Sequence, residues 1–532
     1  MDFTHHDSDT TPRRRARALV VGLGTVAVAA TLAACSTTPA QEGPSGTSEV
    51  ALHPFYEQQL AWGECGPDYA QTDEDKELLP LVPDIECTRL EVPLDYEAPE
   101  NGRGSIAVLR VPARGESLGP LVFNPGGPGG SGVIGAATAA AGLAESPITD
   151  SFDFVGFDPR GVGTTVPTID CYGDDEAEEG TVPLVAEGTT VSFTEEDTRA
   201  IVEKCAERSG GEEILTRVGT RDTARDMDVL RAALGEDELT FFGQSYGTRL
   251  GAVYAEMFPQ SVRAMLLDGG MDPKEGTFDR RVNAYAGFQA AFDAMAASCA
   301  EREDCPLGTD PGVATERFHQ IVRPLVENPV SALGTELTFD DAVGAVIAGL
   351  YDPAAWPGII AGIREVSQGR GDTLMRLLYS FGGRTESGQW INQTEANFAI
   401  NCMDEERLSP VQVAELRTTT YSRAPFMDPG VDTTAGARDT CEHWPAEPTL
   451  GTPYAQDVEG LPATLVVSLT DDPTTPLAGA LNLADSLGSA LLTVEGEGHT
   501  IVAQGTNECI DEIASAYLID LEVPDEGATC TL

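Results

Sequence analysis

The pentapeptide Gly-Gln-Ser-Tyr-Gly at residues 243–247 places a serine between two glycines, directly behind the apolar run 239–242. In a G-x-S-x-G turn between a strand and a helix, the serine adopts a strained backbone that exposes its hydroxyl. The glycines avoid collisions with the neighbouring elements. Such a serine can attack a carbonyl carbon when a histidine and a carboxylate are brought to it. The pattern therefore predicts Ser245 as a nucleophile.

Histidine is scarce, which narrows the choice of a base for this serine. The chain has six histidines, two of them within the first ten residues. His53 lies in the N-terminal approach to the fold, and His319 and His443 lie in a region with few strand-like runs. His499 alone follows a late strand-like segment, residues 490–494, in a glycine-flanked turn. We expect His499 to act as the general base.

A carboxylate that orients the histidine is expected at the end of another strand. The apolar run 463–469 leads into Asp471 and Asp472, and either side chain is a candidate. In open α/β sheets the working groups lie at the carboxyl ends of the strands. The chain order serine, aspartate, histidine is one of the known orders of this triad. The spacing therefore predicts a triad with Asp472 or Asp471 as the acid.

The oxyanion formed by nucleophilic attack needs preorganised hydrogen-bond donors. We expect one donor to be the backbone N–H of Tyr246, directly after the serine, and the other to be that of Gly127 in the glycine-rich turn 124–132. This turn lacks the spacing G-x-x-x-x-G-K-[ST] and has no lysine nearby. A nucleotide-phosphate site is therefore not expected there.

The elements that must position these groups alternate between strand and helix. This alternation predicts an α/β fold with a mostly parallel, doubly wound sheet. It extends over residues 51–272 and returns over 454–532, which are the two expected segments of the core. Between them, residues 273–453 are dominated by alanine-rich amphipathic stretches. We expect a large helical insertion that lies over the carboxyl edge of the sheet as a lid.

The N-terminal residues 1–35 have the pattern of a secretory signal. A basic segment precedes an apolar stretch that is too short to span a bilayer, and Leu-Ala-Ala-Cys ends it at Cys35. This ending is typical of a lipobox, so we expect Cys35 to be acylated; a plain signal peptide cut nearby is the alternative. Residues 36–50 are predicted to be a flexible tether. We therefore expect an exported protein, lipid-anchored on the outer face of the cell membrane or secreted.

Charge and cysteine content agree with export. A formal net charge of −53 repels nucleic-acid phosphates and anionic lipid headgroups, so we expect no nucleic-acid partner and membrane contact only through a lipid anchor. No Cys-x-x-Cys or Cys/His cluster indicates a metal site. Ten cysteines remain besides Cys35, and disulfides are expected outside the cytoplasm. Sequence neighbours suggest the pairs Cys65/Cys87, Cys171/Cys205, Cys299/Cys305, Cys402/Cys441 and Cys509/Cys530, although sequence alone leaves the connectivity open.

Taken together, the motifs resemble those of one protein family over roughly residues 90–505. The chain is similar to the exported tripeptidyl aminopeptidases of actinobacteria, in the proline-iminopeptidase-like branch of the α/β-hydrolases. The disulfide-rich C-terminal segment is also typical of them. The matching segments are Asn-Pro-Gly-Gly-Pro-Gly-Gly-Ser-Gly at 124–132, Asp-Pro-Arg-Gly-Val-Gly at 158–163, Thr-Ala-Arg-Asp-Met-Asp at 223–228, Gly-Gln-Ser-Tyr-Gly-Thr at 243–248, Leu-Asp-Gly at 267–269, Asp-Pro-Thr-Thr-Pro at 472–476 and Gly-His at 498–499.

The resemblance implies an activity and completes the list of candidate residues. It implies hydrolysis of peptides from a free N-terminus through an acyl-enzyme, without a metal or cofactor. It favours Asp472 over Asp471, because Asp-Pro-x-x-Pro is the pattern of the family. Members bind the substrate's ammonium group with acidic residues of the lid, which implies Asp404 or Glu405 here. A carboxylesterase or lipase with the same triad is the alternative activity, and a non-catalytic peptide-binding lipoprotein is a further one.

Overall fold

A nine-stranded sheet forms the centre of the protein. The computed structural model describes residues 46–178, 190–502, 504–505 and 507–532. The strands are β1 (Glu86–Pro93), β2 (Arg103–Val111), β3 (Pro120–Asn124), β4 (Asp153–Phe157), β5 (Leu239–Gln244), β6 (Val262–Asp268), β9 (Leu465–Asp471), β10 (Ala490–Glu497) and β11 (Thr529–Thr531), with β7 (Val330–Ala332) and β8 (Thr335–Leu337) forming a separate hairpin. The spatial order is β1-β2-β4-β3-β5-β6-β9-β10-β11.

Most of the sheet is parallel, as predicted. Among the described strands of this sheet, only the pairings β1–β2 and β2–β4 are antiparallel, and the other six are parallel. The helices are α1 (Gly46–Tyr56), α2 (Asp73–Leu78), α3 (Gly132–Gly142), α4 (Pro147–Ser151), α5 (Asp174–Glu178), α6 (Glu195–Ser209), α7 (Glu212–Leu215), α8 (Thr220–Leu234), α9 (Tyr246–Met257), α10 (Thr277–Ala300), α11 (Ala314–Val322), α12 (Phe339–Leu350), α13 (Trp356–Val366), α14 (Asp372–Phe381), α15 (Gln393–Asp404), α16 (Pro410–Arg423), α17 (Leu477–Leu487) and α18 (Glu508–Asp520).

Successive side chains of each strand point to opposite faces of the sheet, and on both faces they are apolar and covered by helices. On β3, Leu121 and Phe123 belong to one apolar cluster, together with α3 and α18 residues. Val122 belongs to the other, together with residues of α8 and α9. Two apolar layers therefore enclose one sheet, which confirms the predicted doubly wound α/β fold.

Helices α10–α16 lie between β6 and β9 in the chain, which confirms the predicted helical insertion. Its core is a separate apolar cluster in which the rings of Phe292 and Phe426 stack with centroids 4.9 Å apart. Helix α15 differs from the rest, because Ala396, Ala399 and Cys402 pack into the cluster beneath the sheet. Thus α15 is anchored to the main core although the sequence places it in the insertion.

All five suggested disulfides are present, closing sequence separations of 6 to 39 residues. The predicted signal peptide with Cys35 lies outside the described residues, as does the tether up to residue 45. Helix α1 begins at Gly46, so the last five residues of the predicted tether, 46–50, are helical. Within the described part of the chain, no helix is long and apolar enough to cross a bilayer.

Candidate active site

Ser245 occupies the sharp turn between β5 and α9. Its backbone angles of φ 54° and ψ −121° lie in a region that non-glycine residues rarely adopt. The backbone holds this conformation because the Ser245 N–H donates to Asp268 O at 2.8 Å, and Thr248 donates to Ser245 O through its N–H and its hydroxyl. The side chain is partly exposed. The turn thus presents a serine hydroxyl at the carboxyl end of a central strand.

The glycines around Ser245 are required by close backbone approach. A Cβ on Gly243 would lie 2.4 Å from Gly247 O, and one on Gly247 would lie 2.8 Å from Asn124 O. A Cβ on Gly126 would lie 2.5 Å from Gln244 O and 2.9 Å from the Cβ of Ser245. These contacts bring the glycine-rich turn after β3 directly against the serine.

His499 and the buried Asp472 form a hydrogen-bonded pair. His499 Nδ1 lies 2.8 Å from Asp472 Oδ2 and 3.0 Å from Oδ1. Asp472 is held in turn by Thr475, whose N–H and hydroxyl donate to its two oxygens at 2.8 and 2.9 Å. His499 Nε2 is buried and has no hydrogen-bond partner among the described residues. The pair can therefore accept a proton at Nε2 and stabilise the resulting imidazolium.

The structure distinguishes between the two candidate acids. Asp472 is 3% exposed, whereas the neighbouring Asp471 is exposed and accepts a hydrogen bond from the Thr470 hydroxyl. Asp472 is therefore the carboxylate that orients His499. The structure has no hydrogen bond between Ser245 and His499, although both line one cleft. Such bonds are often long without substrate and shorten when substrate binds.

The predicted oxyanion donors lie beside the serine. The Gly126 N–H is already bound to Asn124 Oδ1 at 3.0 Å. The N–H groups of Gly127 and Tyr246 have no acceptor in the described residues, and the latter is the first residue of α9, where no intrahelical acceptor exists. Gly127 lines the cleft with Ser245. This geometry fits an oxyanion site formed by two backbone donors.

Asp268 is a positioning residue that sequence reasoning missed. Its Oδ2 accepts the N–H groups of Ile501 and Val502 at 2.8 Å each, and its backbone oxygen holds Ser245. Burial raises the pKa of Asp268 to about 6. Asp268 thus ties the loop that follows His499 to the turn that carries Ser245. The sequence signals were its place at the end of an apolar strand and the family segment Leu-Asp-Gly at 267–269, but neither assigned a role to Asp268.

Asp404 does not reach the cleft. It is 2% exposed, and its two oxygens accept the N–H and the hydroxyl of Thr220, at 2.9 and 2.5 Å, at the start of α8. The Thr220 hydroxyl also lies 2.6 Å from the Tyr246 hydroxyl. Burial raises the pKa of Asp404 to about 6, against the opposing effect of Arg249. The side chain links α15 to α8 and α9 instead of facing substrate.

Glu405 is likewise enclosed by protein groups. It is 6% exposed and binds Arg280 and Arg281 of α10, the latter at 2.8 Å, while Arg249 lies 3.9 Å away. Burial alone would raise the pKa of Glu405, but the three arginines lower it to about 2. The structure therefore places neither Asp404 nor Glu405 on the cleft wall.

The cleft over the sheet edge is large enough for a peptide. Its volume is about 1920 Å³, and it is bounded by Ser245, His499 and Gly127 on the sheet side and by the insertion on the other. Among its acidic side chains, Glu275 precedes α10 and is partly exposed. Asn283 donates to Glu275 Oε1 at 2.5 Å, and burial raises the pKa of this carboxyl.

A strained serine on a strand–helix turn, a histidine paired with a buried aspartate and two backbone donors define a serine hydrolase. The comparison with known proteins agrees. Residues 119–506 match the family model described as the alpha/beta hydrolase fold. The chain belongs to this family.

Three proteins similar in sequence to this chain are named for hydrolytic activities. It is 38% identical to the serine protease Hip1 of Mycobacterium tuberculosis, over 97% of this chain and 98% of the relative. It is 35% identical to carboxylesterase B of the same species, over the same shares of the two chains. It is 29% identical to the tripeptidyl aminopeptidase of Streptomyces coelicolor, over 88% of this chain and 86% of the relative. The resemblance to aminopeptidase-like serine peptidases is thus confirmed.

Proposed function

We propose that the protein is an extracytoplasmic serine aminopeptidase that cleaves peptides near their free N-terminus, with tripeptides or N-terminal proline units as its products. The observation that carries the proposal is the hydrogen-bonded pair of His499 and Asp472, which shares one cleft with the strained Ser245. The relatives named serine protease and tripeptidyl aminopeptidase support peptides as the substrates.

We propose that the reaction uses the serine, the histidine and the backbone donors of the cleft. Ser245 Oγ attacks the scissile carbonyl carbon while His499 Nε2 takes the hydroxyl proton. The carbonyl oxygen gains negative charge and binds the N–H groups of Gly127 and Tyr246. His499 then gives its proton to the leaving amine, which departs and leaves an acyl-enzyme on Ser245. Water, activated by the same imidazole, releases the N-terminal peptide and restores the serine.

Recognition of a free N-terminus requires a carboxylate that faces the cleft. Asp404 and Glu405 bind protein groups, so we assign them a structural role. Glu275 lies on the cleft wall at the start of the insertion and has one oxygen engaged by Asn283. We propose Glu275 as the partner of the substrate ammonium group, an ion pair that strengthens in a water-excluded cleft.

A matched pair of substrates tests this function. The enzyme should hydrolyse tripeptidyl p-nitroanilides with a free amine and should be at least tenfold slower on the N-acetylated forms. Glu275→Gln should raise KM for the free-amine substrate and leave the acetylated one unchanged. Asp279→Asn, an exposed carboxylate on α10, is the control. Equal rates on both substrates would contradict the aminopeptidase proposal, and product lengths from a peptide library would define the released unit.

A carboxylesterase is the second candidate, because a relative of 35% identity is named carboxylesterase B. The same triad hydrolyses esters, so the two activities differ only in what the cleft accepts. Rates on p-nitrophenyl esters measured beside the anilides separate them. Brisk ester turnover with no cleavage of any free-amine peptide would replace the peptidase proposal by the esterase.

A peptide-binding lipoprotein without catalysis is the remaining alternative, and a covalent serine probe tests it. Labelling of the wild type that is lost in Ser245→Ala supports an enzyme. Absence of labelling, or equal labelling of both proteins, would support a binding protein.

Export and anchoring are part of the proposal. Five disulfides support an oxidising compartment. We propose that Cys35 carries a lipid that holds the enzyme on the outer face of the membrane. Cys35→Ala should move the protein from the membrane fraction to a soluble one, with catalysis on small substrates unchanged. Retention of the variant on membranes would contradict the lipid anchor.

A further inference from the structure

The insertion contacts the catalytic histidine directly. Tyr351 follows α12, and its backbone oxygen accepts the His499 N–H at 3.0 Å. The ring of Tyr351 meets the imidazole edge to face, with centroids 5.3 Å apart and planes inclined at 79°. The imidazole is therefore restrained by Asp472 on one side and by an aromatic ring of the insertion on the other.

The ring of Tyr351 is itself fixed by the insertion. Phe288 of α10 and Phe381 at the end of α14 pack against it, with ring centroids 5.3 and 5.1 Å away. Aromatic contacts at these separations favour a definite mutual orientation. The position of Tyr351 thus depends on three helices of the insertion, α10, α12 and α14.

The insertion also packs against the loop that carries the acid. A Cβ on Gly287 of α10 would lie 2.3 Å from Pro473 O, so only glycine allows the helix to approach the residue after Asp472 this closely. The Tyr351 hydroxyl lies 3.5 Å from the hydroxyl of Thr474 in the same loop. Both loops of the acid–base pair therefore touch the insertion.

We propose that Tyr351 is a positioning residue of the catalytic site. Through Tyr351 and Gly287, the insertion holds His499 and Asp472 in the correct position relative to Ser245. The inference rests on the serine-hydrolase mechanism of the proposed function. It does not depend on whether the substrate is a peptide or an ester. If the insertion only covered the cleft, changing it would alter substrate binding and therefore KM. Because Tyr351 contacts His499, changing this residue should alter the rate of the chemical step.

The test measures chemistry that needs no peptide recognition. The rate of Ser245 labelling by a fluorophosphonate and the kcat and KM on p-nitrophenyl acetate are compared among variants. Displacement of a catalytic group by about 1 Å costs about 100-fold. Tyr351→Ala should therefore lower kcat and the labelling rate by about 10- to 100-fold with KM little changed. Tyr351→Phe, which keeps the ring, should restore most of the rate, and Gly287→Ala should lower it in the same way.

A variant that weakens the insertion elsewhere is the control. Phe318 is fully buried in the core of the insertion and does not contact His499. Phe318→Leu should lower the unfolding temperature but keep the labelling rate at a temperature where all variants are folded. Wild-type labelling rates in Tyr351→Ala, or an equal loss in Phe318→Leu, would overturn the proposal. If Tyr351→Ala does not fold, Tyr351→Leu and Gly287→Ala make the same comparison.

The outcomes also separate this inference from the proposed function. A wild type that reacts with the probe but cleaves no free-amine peptide contradicts the aminopeptidase proposal alone. A Tyr351→Ala variant that reacts as fast as the wild type contradicts the positioning role alone.

Discussion

Two acidic segments of the protein were candidates for function, and they differ in what surrounds their carboxylates. At the end of β9, Asp472 binds an imidazole whose other nitrogen has no protein partner among the described residues. At the end of α15, Asp404 binds Thr220 inside the protein, and the buried carboxylate of Glu405 binds two arginines whose own side chains reach the cleft. The carboxylate of Asp472 acts on a histidine that lines the cleft. The carboxylates of Asp404 and Glu405 bind groups of neighbouring helices.

The comparison shows that burial and a shifted pKa do not by themselves identify a catalytic carboxylate. Burial raises the pKa of Asp404, and the arginines hold that of Glu405 low. Structural ion-pair networks perturb pKa values as active sites do. What distinguishes Asp472 is a partner, His499, that lines the cleft with Ser245.

The largest expected effect is the loss of the nucleophile at the sheet edge. Ser245→Ala should lower kcat by about 10⁶-fold, because the nucleophile of a triad acts as a unit with its base. The measurement is turnover of the best anilide or ester substrate, with active-site labelling to exclude contaminating wild type. Ser367→Ala, an exposed serine of the insertion, is the control and should be unchanged. Residual activity within tenfold of the wild type would mean that another residue is the nucleophile.

The next effect separates the two aspartates that follow β9. Asp472→Asn should lower kcat by about 10⁴-fold, because an amide neither favours the correct tautomer of His499 nor stabilises its cation. Asp471→Asn should change kcat by about twofold at most, since its side chain is exposed. Steady-state kinetics of the two variants decide between them. Comparable losses in both would show that Asp471 also contributes to the acid–base pair.

Sequence reasoning succeeded where the signal is local. The glycines at 243 and 247, the strands that precede each turn and the single late histidine predict Ser245 and His499 at the carboxyl ends of two strands. In the structure, the two residues follow β5 and β10. It was less informative for Asp404 and Glu405, because the direction of these side chains depends on residues far away in sequence, Thr220 and the arginines of α10.

The same reason explains two features that were not predicted. The hairpin of β7 and β8 consists of three-residue strands of mixed composition, too short to show an alternating pattern. The anchoring of α15 in the main core depends on which apolar face meets which cluster, a choice that the helical period does not contain. Tertiary packing, not local propensity, decides both.

The ion pairs of Glu405 are expected to stabilise the fold, which separates Glu405 from a carboxylate that binds substrate. Glu405→Gln should lower the free energy of unfolding by about 3 kcal/mol, because it leaves buried guanidinium charge without its carboxylate. Arg280 and Arg281 keep some exposure, which limits the loss. Denaturant unfolding measures the change. Glu406→Gln alters the exposed neighbour and should stay within about 0.5 kcal/mol. If the Glu405→Gln variant is as stable as the wild type but has lost activity, Glu405 would be a substrate-binding residue instead.

The smallest effect concerns Asp404 and depends on pH. Its folded pKa of about 6 exceeds that of an unfolded aspartate, about 3.9, so the folded chain binds more protons between these values. Stability from this group is present below pH of about 4 and declines as the pH rises to about 6. Asp404→Asn does not titrate, so the stability of the wild type relative to this variant should fall across that window, by on the order of 2 kcal/mol.

Unfolding midpoints of both proteins at pH 4, 5, 6 and 7 test this sign. Burial also raises the pKa of Asp268 to about 6, but Asp268 is present in both proteins and its contribution cancels in the difference. A difference that does not vary with pH would mean that Asp404 has the same pKa in the folded and the unfolded chain, with Arg249 and Thr220 offsetting the effect of burial. A difference that grows with pH in favour of the wild type would mean that its ionised form is the stabilising one, as for Glu405. In the second case the two neighbouring carboxylates would act alike, and the contrast between them would be lost.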